Sequence, residues 1–122
     1  VGKILKQKLE SVKVIGVEPS GSAVVSGEKP GAHKLQGIGA GFIPDNLNVS
    51  LLDEVMLVDN DEAYEEARML AKKEGLLVGI STGANLSAVK KLVSRIETGS
   101  NIKILTVSAS SGERYLSTDL YE

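Results

Sequence analysis

Cysteine is absent, so no disulfide framework, thiolate nucleophile or cysteine-ligated zinc site can be built. There is one histidine, His33, too few for a protein-only metal centre of the usual kind. Three tyrosines, one phenylalanine and no tryptophan leave little material for stacking nucleobases. Charge of one sign is also lacking: 14 basic and 16 acidic residues give a net charge of -2. The lysines are scattered, which argues against nucleic acid as a partner. No apolar run approaches the roughly 20 residues that cross a bilayer, so no membrane segment is expected. The opening "VGKILKQKLE" has no signal-peptide core, and the expected setting is soluble and cytoplasmic.

What remains is a chain of 122 residues, 42% hydrophobic and 25% charged, suited to a single core. Val1, Ile4, Leu5 and Leu9 recur at helical spacing with no capping residue ahead of them, as in the tail of a helix. "VKVIGVEP" at 12–19 is a β-branched run stopped by Pro19 and predicts a buried strand. Residues 20–48 are rich in Gly, Pro, Ser and Asn, a length of irregular chain that is usually functional or disordered. "EVMLV" from residue 54 predicts a strand. "DNDEAYEEARMLAKKEG" predicts a helix with Asp59 and Glu62 forming a capping box, acids early, Arg68, Lys72 and Lys73 late, and Gly75 at the stop. "LLVGI" is too short to classify. A second helix is expected from about Thr82 to Ile96, with Leu86, Val89, Val93 and Ile96 on one face, and "IKILTV" at 102–107 is a further strand candidate. Strands alternating with helices imply parallel pairing through crossovers, hence an α/β class with three layers and a mainly parallel sheet.

Ser81 in "VGISTGANL" precedes a helix and on spacing alone is favoured as its N-cap. The same position faces ligands in open α/β sheets, where helix N-termini and strand carboxyl ends meet. In that case Thr82 would take the cap and Gly83 would admit a ligand or another backbone. "GIGAGF" at 37–42 lacks the dinucleotide register and is read as a tight loop with positive φ. His33 is a possible acid-base group, though a lone loop histidine is more often solvated. "SSGERYLST" at 110–118 is expected to cap a short final helix.

Taken in order, "VIGVEP", "KPGAHKLQGIGAGFIP", "DEVMLV", "KKEGLLVGISTGAN" and "SSGERYLST" closely resemble the O-acetylserine sulfhydrylase (cysteine synthase) family over essentially the whole chain. The resemblance implies a tryptophan-synthase β-like enzyme of fold type II, dependent on pyridoxal 5'-phosphate and usually a homodimer. Such an enzyme makes L-cysteine and acetate from O-acetyl-L-serine and sulfide by β-elimination and replacement through an aminoacrylate. It also implies roles for particular residues: Ser81 beside the cofactor's pyridine nitrogen, Gly37, Gly39 and Gly41 in a loop on the substrate side, and Lys29, His33 and Lys34 in a loop that binds serine acetyltransferase. The family's Schiff-base lysine and "GTGGT" phosphate loop match nothing in these residues. Residues 1–122 are therefore expected to be a C-terminal portion, most of the larger cofactor-binding domain, without catalytic residues and inactive alone. "STGANL" also departs from the commoner "SSGAA". The competing expectations are a non-catalytic module that keeps the acetyltransferase-binding loop, and a related cystathionine β-synthase or β-cyanoalanine synthase.

Overall fold

The structure, a computed structural model, describes residues 1–122. Helix α1 (Gly2–Lys8) leads into strand β1 (Ile15–Pro19), which pairs in parallel with β2 (Glu54–Val58) from Ile15 opposite Glu54 to Pro19 opposite Val58. Helix α2 (Asn60–Glu74) follows β2, and α3 (Ile80–Val93) packs against both α2 and the sheet. Short 3-10 turns lie at Ser20–Ser22, Val49–Leu51, Gly112–Tyr115 and Asp119–Tyr121. The parallel α/β arrangement expected from the alternating pattern is present.

Each end of α2 is set by local chemistry. The Asp59 N–H donates to Glu62 Oε2 at 3.0 Å, closing the capping box, and Gly75 ends the helix at φ +69, its N–H donating to the Ala71 carbonyl. The buried face of α2 is small, with Ala63 and Ala67 fully enclosed, and this lets α3 come close. The contact centres on Gly83, where a Cβ would overlap the Ala63 carbonyl oxygen and lie 3.1 Å from Ala67 Cβ. Gly83 therefore admits another backbone rather than a ligand.

Helix α3 differs from its expected course. It begins at Ile80, two residues early, and ends at Val93, with turns rather than helix over 94–96. Its buried stripe is Ile80, Ala84 and Ala88; Leu86 and Val89 are only half-buried and Val93 is exposed. The sequence pattern favours the large apolar residues, but the helix meets α2 through Gly83, where close approach limits size.

The segment "IKILTV" forms no strand. A strand needs a neighbour to receive its N–H and C=O groups, and here the segment faces β1 and β2 across a cleft of about 850 Å³ lined by Ile15, Val17, Met56, Ala88 and Ile104. Leu105 is 89% exposed in consequence. "LLVGI" makes a single antiparallel bridge, Val78 with Ser111, flanked by the Gly79 N–H to the Ser110 carbonyl and the Gly112 N–H to the Leu77 carbonyl, each 2.9 Å. The Tyr121 hydroxyl brackets the same residue, accepting from the Val78 N–H at 3.0 Å and donating to the Val78 carbonyl at 2.5 Å. One core results, built on Leu35, Val58, Ile80 and Leu120, all fully buried. Each such side chain contributes about 1.5–3 kcal/mol of burial.

Candidate functional site

The carboxyl ends of the two parallel strands lead to the site. Beyond Pro19 at the end of β1, the chain enters the long Gly-rich connection, and this is ordered by hydrogen bonds to side chains rather than by regular structure. Glu18, only 4% exposed, accepts from the Val25 and Ser26 N–H groups at 2.9 Å each and from the Ser26 hydroxyl. Ser22 Oγ accepts from the Gly31 N–H at 3.2 Å, and Asn60 Oδ1 accepts from the Lys34 N–H at 2.8 Å. Leu35 is driven into the core. The sequence reading missed Glu18, Ser22 and Asn60; the available signal was a carboxylate inside an apolar run and followed by a Gly/Ser turn, since a buried acid must find donors.

The glycines of "QGIGAGF" have φ values of +94 at Gly37, +67 at Gly39 and +79 at Gly41, as expected of a tight loop. Gly37 lies against the start of α3: a Cβ placed on it would be 3.8 Å from both Cβ and Oγ of Ser81. The structure thus brings the glycine loop and Ser81 together, 44 residues apart in the chain.

Ser81 is not an N-cap. Gly79 occupies that position with extended backbone and Ser81 is the second helical residue. Glycine is required at 79 because a Cβ there would fall 2.6 Å from the Tyr115 ring. Thr82 does not cap either; its hydroxyl shares a hydrogen bond with Ser108 Oγ at 3.1 Å. Ser81 is 8% exposed, yet its hydroxyl bonds to nothing in the chain and is not sealed off. The N–H groups of Ile80 and Ser81 likewise have no acceptor here, as at the open end of a helix. An unpartnered, accessible hydroxyl on a largely buried residue and the positive end of a helix dipole are thus presented together beside Gly37.

The other candidate residues fall differently. His33 is no free acid or base: Nε2 lies 2.8 Å from the Gly39 carbonyl and Nδ1 accepts from the Leu35 N–H at 3.1 Å. Lys34 pairs with Asp119 at 3.1 Å. That contact raises the lysine's pKa through the hydrogen bond and charge of Asp119 and lowers that of Asp119 for the reciprocal reason. Tyr64, alongside, is raised by burial first and then by the Asp119 charge. Lys29 is exposed. In "SSGERYLST" the hydroxyls do not cap the Gly112–Tyr115 turn; Ser110 binds the Tyr115 hydroxyl at 3.0 Å, and Thr118 caps the last turn by accepting from the Leu120 N–H at 3.3 Å.

Against known proteins, the family profile described as "Pyridoxal-phosphate dependent enzyme" matches residues 1–109. The chain belongs to the pyridoxal-phosphate-dependent enzymes. Among curated members, a cysteine synthase of Staphylococcus aureus is 48% identical over 122 residues, which is 99% of this chain and 38% of that protein. This pyridoxal-phosphate family member therefore spans less than two fifths of the length of that relative. Among solved structures, cysteine synthase of Entamoeba histolytica superposes with a TM-score of 0.91 at 41% identity, covering 99% of this chain and 36% of that one. The O-acetylserine-dependent cystathionine β-synthase of Helicobacter pylori does so with a TM-score of 0.86 at 39% identity, covering 99% and 39%. The family's fold is thus the fold-type II architecture of the cysteine synthases.

The residues present fit the family's cofactor. A pyridine nitrogen accepts one hydrogen bond, and Ser81 offers an accessible hydroxyl committed to nothing else. The helix end disfavours a positive charge at that spot, so the fit is to a neutral ring nitrogen.

Proposed function

We propose that residues 1–122 form the C-terminal portion, most of the larger cofactor-binding domain, of a pyridoxal-phosphate-dependent cysteine synthase. The full enzyme makes L-cysteine and acetate from O-acetyl-L-serine and sulfide. The observation that carries this reading is the unpartnered, accessible hydroxyl of the otherwise buried Ser81 beside Gly37, in a chain 48% identical to a curated cysteine synthase. The open apolar cleft between β1, β2 and residues 101–106 supports a larger sheet around this portion.

In this reading Ser81 holds the cofactor's ring nitrogen. When bound, pyridoxal phosphate supplies an electron sink for the pair left at the substrate's Cα. Ser81 donates a hydrogen bond to the ring nitrogen and keeps its own proton, because a hydroxyl is far too weak an acid to transfer it. Ser81 and the α3 amides would thus hold the ring nitrogen with donors and no carboxylate, an arrangement that would favour its neutral form. The amides at the start of α3 reinforce that choice by repelling a proton there. Gly37, Gly39 and Gly41 form the wall on the substrate side, and the absence of a Cβ at Gly37 leaves room beside Ser81. Lys29, His33 and Lys34 stand on the same loop and, in this reading, form part of the surface that meets serine acetyltransferase; the complete enzyme is a cytoplasmic homodimer.

No residue of this portion is assigned as the Schiff-base lysine. Lys34, the lysine of the glycine loop, is held by Asp119. Residues 1–122 alone are therefore inactive. The test is cysteine formation from O-acetyl-L-serine and sulfide with pyridoxal phosphate present. The full-length protein is expected to turn over and residues 1–122 are not; activity of residues 1–122 alone would overturn the assignment. A second reading, a related enzyme with a thiol amino acid as acceptor, draws on the near-equal likeness to the Helicobacter pylori cystathionine β-synthase. Competition of sulfide against homocysteine in the same assay separates the two.

A further inference from the structure

The only histidine of the chain sits inside the glycine loop, and its two ring contacts distinguish which nitrogen donates and which accepts. Nδ1 is 3.1 Å from the Leu35 backbone nitrogen, which can only donate. Nε2 is 2.8 Å from the Gly39 carbonyl oxygen, which can only accept. Both bonds exist together only when the ring is neutral and carries its proton on Nε2. The other tautomer opposes two donors at Leu35 and two acceptors at Gly39.

Both partners belong to the loop, and Gly37 lies midway between them in sequence. Leu35 is fully buried, so the Nδ1 bond ties the ring to a residue anchored in the core. Gly39 is wedged on the other side: a Cβ there would be 2.6 Å from His33 Nε2 and 2.5 Å from Pro19 Cγ. The ring, Gly39 and the end of β1 therefore form one stack, and the height of Gly37 above Ser81 is set from both sides.

We propose that His33 is a positioning residue which, held as the neutral Nε2–H tautomer, locks residues 35–39 in the turn that sets Gly37 against Ser81. The lock is a property of the loop and stands without the cofactor; its effect on pyridoxal phosphate rests on the function proposed above. Neither ring nitrogen is free to act as a base on substrate.

The test uses the full-length protein with ¹⁵N-labelled histidine and two-bond ¹H–¹⁵N spectra under mildly alkaline conditions. The His33 signals are those that vanish in His33→Gln. A pyridine-like Nδ1 and a pyrrole-like Nε2 are expected; the reverse, or an averaged pattern, overturns the lock. In parallel, His33→Ala is expected to weaken pyridoxal phosphate binding about tenfold, the scale of one lost hydrogen bond. His33→Gln, which keeps a donor for the Gly39 carbonyl, is expected to recover most of that loss. Unchanged affinity in both variants, with the expected tautomer, overturns the positioning role. Should His33→Ala not fold, the tautomer and His33→Gln decide: Gln binding no better than tenfold below the parent counts against the role. If Ser81→Ala leaves the cofactor undisturbed while the tautomer is as expected, the cofactor assignment fails and the lock survives.

Discussion

Gly37 lies against Ser81, close enough that a Cβ on the glycine would meet the serine's Cβ and Oγ at 3.8 Å. An ordinary van der Waals distance there means that a methyl group would fit sterically but would fill the space beside the hydroxyl. The glycine loop and the start of α3 thus meet at Ser81. On the function proposed above, the cofactor's ring nitrogen would lie beside this contact.

Gly83→Ala tests the helix crossing. The added methyl meets the Ala63 carbonyl, which belongs to backbone and cannot swing away. A loss of about 1–3 kcal/mol is expected, as for other overpacked interiors, seen as a lowered Tm. Unaltered stability would mean that α2 and α3 are further apart than described.

Gly39→Ala and Gly75→Ala form a matched pair. Both glycines have nearly the same φ, +67 and +69. Gly75 has open space where its Cβ would be, so alanine there costs only the left-handed backbone, about 1–2 kcal/mol. Gly39 adds the overlap with Pro19 and His33, and its substitution is expected to cost at least twice as much and to shift the His33 ring signals. Equal costs would remove the steric argument for the loop.

Two aspartates and a lysine govern the pH dependence of stability. Asp53 is lowered by its hydrogen bond from Lys6 and by the Val14 N–H, and Asp119 is lowered by Lys34. Each contributes stability that is present above the ordinary aspartate range and lost as pH falls through the lowered folded-state value. Lys34 is raised, so its share is complete below the ordinary lysine value and is lost as pH rises through the raised one. Asp53→Asn should flatten only the acid limb of a Tm–pH curve, and Asp119→Asn should flatten both limbs. An alkaline limb unaffected by Asp119→Asn would count against the Lys34 pairing.

Much of this was readable in the sequence where the cause is local. Asp59, Glu62 and Gly75 mark the ends of α2 because capping involves residues within one turn. The two strands showed themselves through β-branched runs. What was misread depends on distant partners. Ile80 belongs to an apolar run that suits either strand or helix, so spacing alone starts α3 too late and favours Ser81 as its cap. "IKILTV" has strand composition but no adjacent strand to complete a ladder. The role of Gly83 lies in Ala63 and Ala67, residues on another helix. The ordered motifs pointed to the cofactor family where spacing alone could not.

The ring nitrogen itself provides the most direct measurement. Full-length protein is loaded with pyridoxal phosphate labelled with ¹⁵N in the pyridine ring, and its nitrogen shift is compared between the parent and Ser81→Ala, with Tm as the control for folding. A neutral, hydrogen-bonded nitrogen is expected in the parent, moving to the position of an unbonded pyridine in Ser81→Ala, with weaker cofactor binding and slower turnover. A protonated nitrogen in the parent, or a shift that Ser81→Ala leaves unchanged, would contradict the role given to Ser81.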